Sequence, residues 1–160
     1  MNACPPWQSV ARAFEWDGSW RDIYILNTSV NDWDVVLKAL SLGSYGFKFI
    51  CSGESWAKAL PSFANITLLR ERSGVTSSFV IVDITIKCHF FTDDTIEFDL
   101  DPREVNAENW PELCNFLFEL SRITEKPCRL TEENCPDLWW LEASASTSKL
   151  KVFEIDSAKS

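Results

Sequence analysis

The sequence has little of what announces an enzyme or a membrane protein. Its five glycines stand isolated at 18, 43, 46, 53 and 74, so there is no glycine-rich loop to cradle a phosphate. It has a single histidine, His89, and neither a GxSxG nucleophile turn nor an HExxH zinc helix. The six cysteines, at 4, 51, 88, 114, 128 and 135, include no CxxC pair, and with one imidazole a zinc site lacks ligands. No apolar run approaches the roughly 20 residues that span a bilayer. The opening Met1 to Trp7 has neither the charged start nor the apolar stretch of a secretion signal. These absences set the expectation: a cytoplasmic protein with no cofactor and no metal, away from membranes, with no catalysis of its own. An even number of cysteines would suit disulfides in an oxidising compartment. Without a signal, reduced and mostly buried thiols are expected.

What is present describes a globular domain. The chain has 160 residues, 46% of them apolar and 24% charged, which is enough to bury an ordinary core and too apolar for disorder. Eight tryptophans and eleven phenylalanines supply large rings, most for the core and some for an interface.

The net charge of −9 is unevenly spread. The 45 residues from Asp93 to Asp137 hold thirteen acids against four bases, and the rest of the chain is balanced. A field of one sign repels phosphate backbones and so disfavours nucleic acid. It attracts a basic protein and speeds encounter with it. The plain alternative is a solvated face that keeps the protein soluble.

Residues 1–18 read as an irregular lead and 19–156 as one domain. Ser19 to Leu26 is a first strand, rich in β-branched and aromatic residues. Ser29 with Asp32 opens a helix whose apolar face is Trp33, Val36, Leu37 and Leu40, closed by Gly43. Tyr45 to Cys51 reads as a strand, Ser55 to Leu60 as a helical turn, and Ile66 to Arg72 as another strand. Val80, Val82, Ile84, Ile86, Cys88 and Phe90 alternate as one face of a long strand, with Asp83, Thr85, Lys87 and His89 on the other. After a turn at Asp93 and Asp94, Ile96, Phe98 and Leu100 face inward while Glu97, Asp99 and Asp101 face outward. Matching these faces requires paired residue numbers with an even sum. That excludes a plain two-residue hairpin and admits a three-residue connection or a bulge; with Phe91 paired to Thr95, His89 lies opposite Glu97 and Lys87 opposite Asp99. Asn109, Pro111 and Glu112 start a second long helix over Trp110 to Thr124. Cys128 to Thr131 is a short strand, Leu138 to Leu141 a strand or helix, Ala143 to Ser148 a loop, and Leu150 to Ile155 a closing strand. The order implies an α+β fold: a mainly antiparallel sheet with two principal helices packed on one face, leaving the other for water or a partner.

The candidate contact residues follow from charge and strand direction: Asp93, Asp94, Glu97, Asp99, Asp101, Glu132, Glu133 and Trp139. Paired carboxylates such as Glu97 and Asp99 can do acid–base work or hold a cation, but nothing in the sequence supplies a second wall. His89 and Cys88 are strand neighbours and point to opposite faces, so they cannot form a dyad. A carboxylate facing His89 favours its charged form. In Trp139-Trp140 one ring goes in and one out, and an exposed tryptophan beside acids suits an interface anchor as well as it suits the edge of the core.

Trp20-Arg21-Asp22-Ile23-Tyr24-Ile25, with Thr28 and Trp33, resembles the opening of small bacterial immunity proteins of polymorphic and contact-dependent toxin systems. The helix Trp110 to Ile123 running into Arg129-Leu130-Thr131-Glu132-Glu133-Asn134 resembles the later part of similar families. Such a resemblance implies a non-catalytic protein that binds and blocks a cognate toxin domain. A basic nuclease-like toxin would be the physical counterpart of an acidic inhibitor. Two other readings stand beside it: a general interaction or adaptor domain, and a small-ligand binder or enzyme using Glu97, Asp99 and His89.

Overall fold

The computed structural model describes residues 4–153. The fold is α+β: a single sheet of nine antiparallel strands with four helices. The strands are β1 (Arg21–Leu26), β2 (Lys48–Cys51), β3 (Glu54–Ser55), β4 (Val75–Ile81), β5 (Ile84–His89), β6 (Thr95–Leu100), β7 (Cys128–Glu132), β8 (Cys135–Ser144) and β9 (Lys149–Val152). The helices are α1 (Trp7–Val10), α2 (Val30–Leu42), α3 (Phe63–Arg72) and α4 (Trp110–Thr124). Sheet order is β3-β2-β4-β5-β6-β1-β7-β8-β9. The first strand thus lies between β6 and β7: β2 to β6 start near the far edge and work inward to meet it, and β7 to β9 run outward on its other side.

α2 forms where its cap is encoded. Ser29 and Asp32 make a reciprocal capping box, and Trp33, Val36, Leu37 and Leu40 are buried. α4 starts at Asn109, but that side chain does not cap. It is buried and donates instead to the carbonyls of Val82 and Glu104, tying the helix start to the β4–β5 turn. Trp33 of α2 and Phe116 of α4 both pack against Phe98 of β6, and Phe79 of β4 joins the same aromatic group.

The β5–β6 register has the even sum that parity requires, with Lys87 opposite Asp99 and His89 opposite Glu97 as a Phe91–Thr95 pairing implies. Other expectations are corrected. The long strand through Val82 is two strands. Val82 and Asp83 take positive φ of 38° and 69° and make a tight hairpin pairing Ile81 with Ile84. An odd-sum hairpin moves Val80 and Val82 off the core face, and they are 42% and 53% exposed. The segment Ile66 to Arg72 belongs to helix α3, capped by Ser62 accepting from the Asn65 amide. Phe63, Ile66 and Leu69 repeat every three residues, and this period outweighs the β-branching of Ile66 and Thr67. Ser55 to Leu60 contains no helix; Trp56 donates its indole N–H to the Ala59 carbonyl. Leu138 to Leu141 is strand, within β8, which also absorbs Ala143 and Ser144. Of the expected closing strand, residues 154–155 lie outside the described residues, as do 1–3 of the lead.

The lead is not irregular where it is described. α1 continues into a 3-10 turn, Ala11–Phe14, and Val10, Ala13 and Phe14 join the core. Arg21, fully buried, holds this segment down by donating to the carbonyls of Ala13 (2.7 Å) and Glu15 (2.9 Å) and to Asp17 (3.1 Å). The thiol expectation also changes. Cys4 and Cys114, 110 residues apart, form a disulfide. Cys51, Cys88, Cys128 and Cys135 are free, and burial pushes the Cys88 thiol up to about 12. Among the described residues no helix is long and apolar enough to cross a membrane.

Candidate functional site

β1 alternates Ile23 and Ile25 on the core face with Asp22 and Tyr24 on the other. Its two neighbours extend both rows. Asp22 lies opposite Asp99 of β6 and Thr131 of β7, and Tyr24 lies opposite Glu97 and Arg129. β5 adds Lys87 and His89 beside Asp99 and Glu97, and β8 adds Trp139 opposite Thr131 and Glu142 opposite Arg129. Adjacent strands are about 4.8 Å apart, so this register sets three carboxylates, Asp22, Glu97 and Asp99, side by side with one imidazole among them. Like charges directly opposite each other on neighbouring strands repel.

The groups divide the strain unevenly. His89 Nε2 lies 2.6 Å from Asp99 Oδ2, a diagonal partner rather than Glu97 across the ladder. This hydrogen bond raises the His89 pKa above its ordinary value against the opposing effect of burial. Its ring is stacked on Phe91. Asp99 Oδ1 is buried and has no hydrogen-bond partner among the described residues. Asp22, 4% exposed, has its carboxyl pushed up to about 6, first by burial and then by Glu97 and Asp99, against hydrogen bonds that favour the charge. Those bonds come from the Asn134 amide (2.7 Å) and the Tyr24 hydroxyl (3.1 Å), both donating to Oδ2. Burial, with hydrogen bonds to Glu97 and Asp22, keeps the Tyr24 phenol protonated far above its usual range.

Asn134 reaches Asp22 because the β7–β8 hairpin bends over this face. Its pairing slips at Leu130/Thr131 and again at Thr131/Glu132, and such bulges increase local bend and twist. Trp139 then lies edge-on to Phe153, with the Arg129 guanidinium 6.0 Å from its ring. Trp140 packs against the core beneath Arg21. One ring of the pair faces each way, as strand alternation implied.

The candidates therefore separate. Glu97, Asp99 and Trp139 come together on one face. Asp101 continues the row but is held by Arg103 (2.8 Å), which keeps its carboxyl below the usual range. Glu133 is exposed at the hairpin turn beside Asn134. Glu132 turns away and accepts the Trp140 indole N–H at 3.1 Å. Asp93 and Asp94 lie at the far end of β6, where their carbonyls accept from Thr28. A six-residue strand, about 17 Å at 3.4 Å per residue, separates them from the Asp101 end. The acidic segment does not fold into one patch. Sequence reasoning missed Asp22, Tyr24 and Asn134. The signal for the first two was the alternation Asp22-Ile23-Tyr24-Ile25 itself.

His89 also walls a surface cavity of about 260 Å³, whose other walls include Lys48, Ile50, Thr76, Ser78 and Lys87. Glu97 and Asp99 are not among its lining residues. Among the described residues no group of three His, Cys, Asp or Glu is placed to hold a metal ion. Comparisons with protein-family models, curated proteins and solved structures found no match to this chain.

Proposed function

We propose that the chain is a non-catalytic binding protein that neutralises a basic protein partner, in the manner of an immunity protein that occludes a toxin domain. The observation that carries this is the juxtaposition of Asp22, Glu97 and Asp99 on adjacent strands, with only His89 in direct ion pairing. Such an arrangement is repulsive by itself. A cation delivered by a partner to the exposed edge of the cluster relieves it. Trp139, in the same cross-strand row as Asp22 and Asp99, supplies the aromatic anchor that interfaces favour.

In this reading α2 and α4 cover one face of the sheet, and the partner sits on the other, flanked by Glu133. It places the protein away from membranes and nucleic acid. The carboxylates are there to bind, with no chemical step at Glu97, Asp99 or His89.

The test is titration of the full chain with the product of the adjacent open reading frame at low and high salt, using wild type, E97Q/D99N and W139A. Saturable binding that weakens with salt, and weakens at least tenfold in the double variant and in W139A, supports the proposal. Each tenfold corresponds to about 1.4 kcal/mol, within the range of interface anchors. Binding that ignores both the salt and the substitutions refutes it. A neighbour that fails to bind leaves an adaptor role as the better reading.

A further inference from the structure

We infer that the same face carries a second site, on β2, β4 and β5, that takes a small oxyanion, with phosphate monoesters as its chemical class. The site is the cavity of about 260 Å³ beside His89. It shares that residue with the carboxylate cluster but draws its charge from elsewhere.

Lys48 pairs across the ladder with Ser78, and Ser78 with Lys87. All three side chains therefore stand in one row on one face, with Ser78 between the two lysine stems. Neighbouring strands are about 4.8 Å apart, so the two lysine stems start roughly 10 Å apart. Flexible four-carbon stems can bring both ammoniums onto one anion over Ser78. Thr76 adds a second hydroxyl to the walls, and Ile50 and Val75 give an apolar flank.

The lysines are available. Among the described residues the ion pairs use Arg21, His89, Arg103, Arg122, Lys126 and Arg129, and neither Lys48 nor Lys87. Lys87 is opposite Asp99, but Asp99 gives its Oδ2 to His89, and the Lys87 ammonium lies 4.7 Å from the Trp20 ring instead. A ring face holds an ammonium without neutralising it. Two lysines flanking a hydroxyl-lined hollow, neither of them in an ion pair among the described residues, stand out in a chain of net charge −9, where most surface repels anions.

Size narrows the ligand. The cavity falls just below the roughly 300–1,000 Å³ of drug-sized pockets. It has room for a phosphate bearing a short organic group, and the apolar flank gives that group a surface to lie on. A small dicarboxylate shares the oxyanion chemistry and differs in geometry.

Calorimetric titration of the full chain with inorganic phosphate, glycerol 3-phosphate and succinate tests the site. The variants are K48M and K87M, which keep the stems, with K149M on β9 as control and circular dichroism to verify folding. Saturable binding that falls about tenfold in each of the first two variants and is unchanged in K149M supports the site, a loss in keeping with charge-assisted hydrogen bonds. Preference for glycerol 3-phosphate over succinate supports phosphate monoesters, and the reverse order overturns that class. No saturable heat with any of the three, or binding that survives K48M/K87M, overturns the site itself.

Discussion

Replacing Asp22 by asparagine should make the protein more stable at neutral pH, because the native carboxylate is ionised at a cost. Asp22 ionises near 3.8 in the unfolded chain and at about 6 in the folded one. Between those values the folded state holds more protons than the unfolded state, so stability falls as pH rises and the loss is complete above about 6. At about 1.4 kcal/mol per pH unit the loss amounts to about 3 kcal/mol. Asparagine removes the charge and keeps the contacts. Asp22 Oδ2 accepts both the Tyr24 hydroxyl and the Asn134 amide, and one amide oxygen can accept the same two. The amide nitrogen adds a donor next to Glu97 and Asp99. We expect D22N to be more stable than wild type by about 2–3 kcal/mol near neutral pH, equivalent to a rise of roughly 4–12 °C in melting temperature for a domain of this size. Urea denaturation across the pH range measures it. The His89 pKa is also raised, so its contribution is present below the unfolded value of 6.5 and is lost as pH rises through the folded one. Most of that trend comes from Asp99 and is common to both proteins, while the smaller part that the Asp22 charge supplies is lost in D22N. A D22N protein that is less stable at neutral pH, or whose stability falls between about pH 4 and 6 as steeply as wild type, would refute the reasoning.

Trp33 is fully buried and stacked on Phe63 with centroids 5.1 Å apart, so W33A should cost about 3–5 kcal/mol in urea unfolding. The hairpin at Val82-Asp83 holds a β-branched residue at positive φ. V82N/D83G should therefore gain about 1 kcal/mol, seen as a small rise in melting temperature. Breaking the Cys4–Cys114 link with C4S/C114S should cost about 2–4 kcal/mol, and reductant should bring wild type to the same value while leaving the variant unchanged.

What could be read from the residues was local or fixed by parity. Ser29 and Asp32 announce α2 because a capping box is a four-residue signal. The β5–β6 register followed from two alternating strands that had to share a core face, together with a short connection that sets Phe91 against Thr95 and so His89 against Glu97. Helix α3 was hidden because Ile66 and Thr67 favour strands while its helical evidence, Ser62 and the Phe63-Ile66-Leu69 period, is weak. The β4–β5 turn was hidden because Val82 carries the apolar alternation straight through a position where glycine or asparagine is usual. The site was half legible. Glu97 and Asp99 fall outward on any strand reading, but their neighbours Asp22 and Tyr24 depend on β1 being inserted between β6 and β7. Nothing local encodes that order. The same holds for Asn134, which reaches Asp22 only through two register slips, and for a disulfide joining Cys4 to Cys114. Counting acids along the chain overstated the patch, since Asp93 and Asp94 end at the opposite end of β6.

Hydrogen exchange on the complex with the basic partner locates the contact. Slowed exchange is expected in the backbone of Asp22 to Tyr24, Glu97 to Asp99 and Asn134 to Trp139, with α2 and α4 unchanged. Protection confined to α2 and α4, or to the Asp93-Asp94 turn alone, would contradict recognition through the carboxylates of β1 and β6.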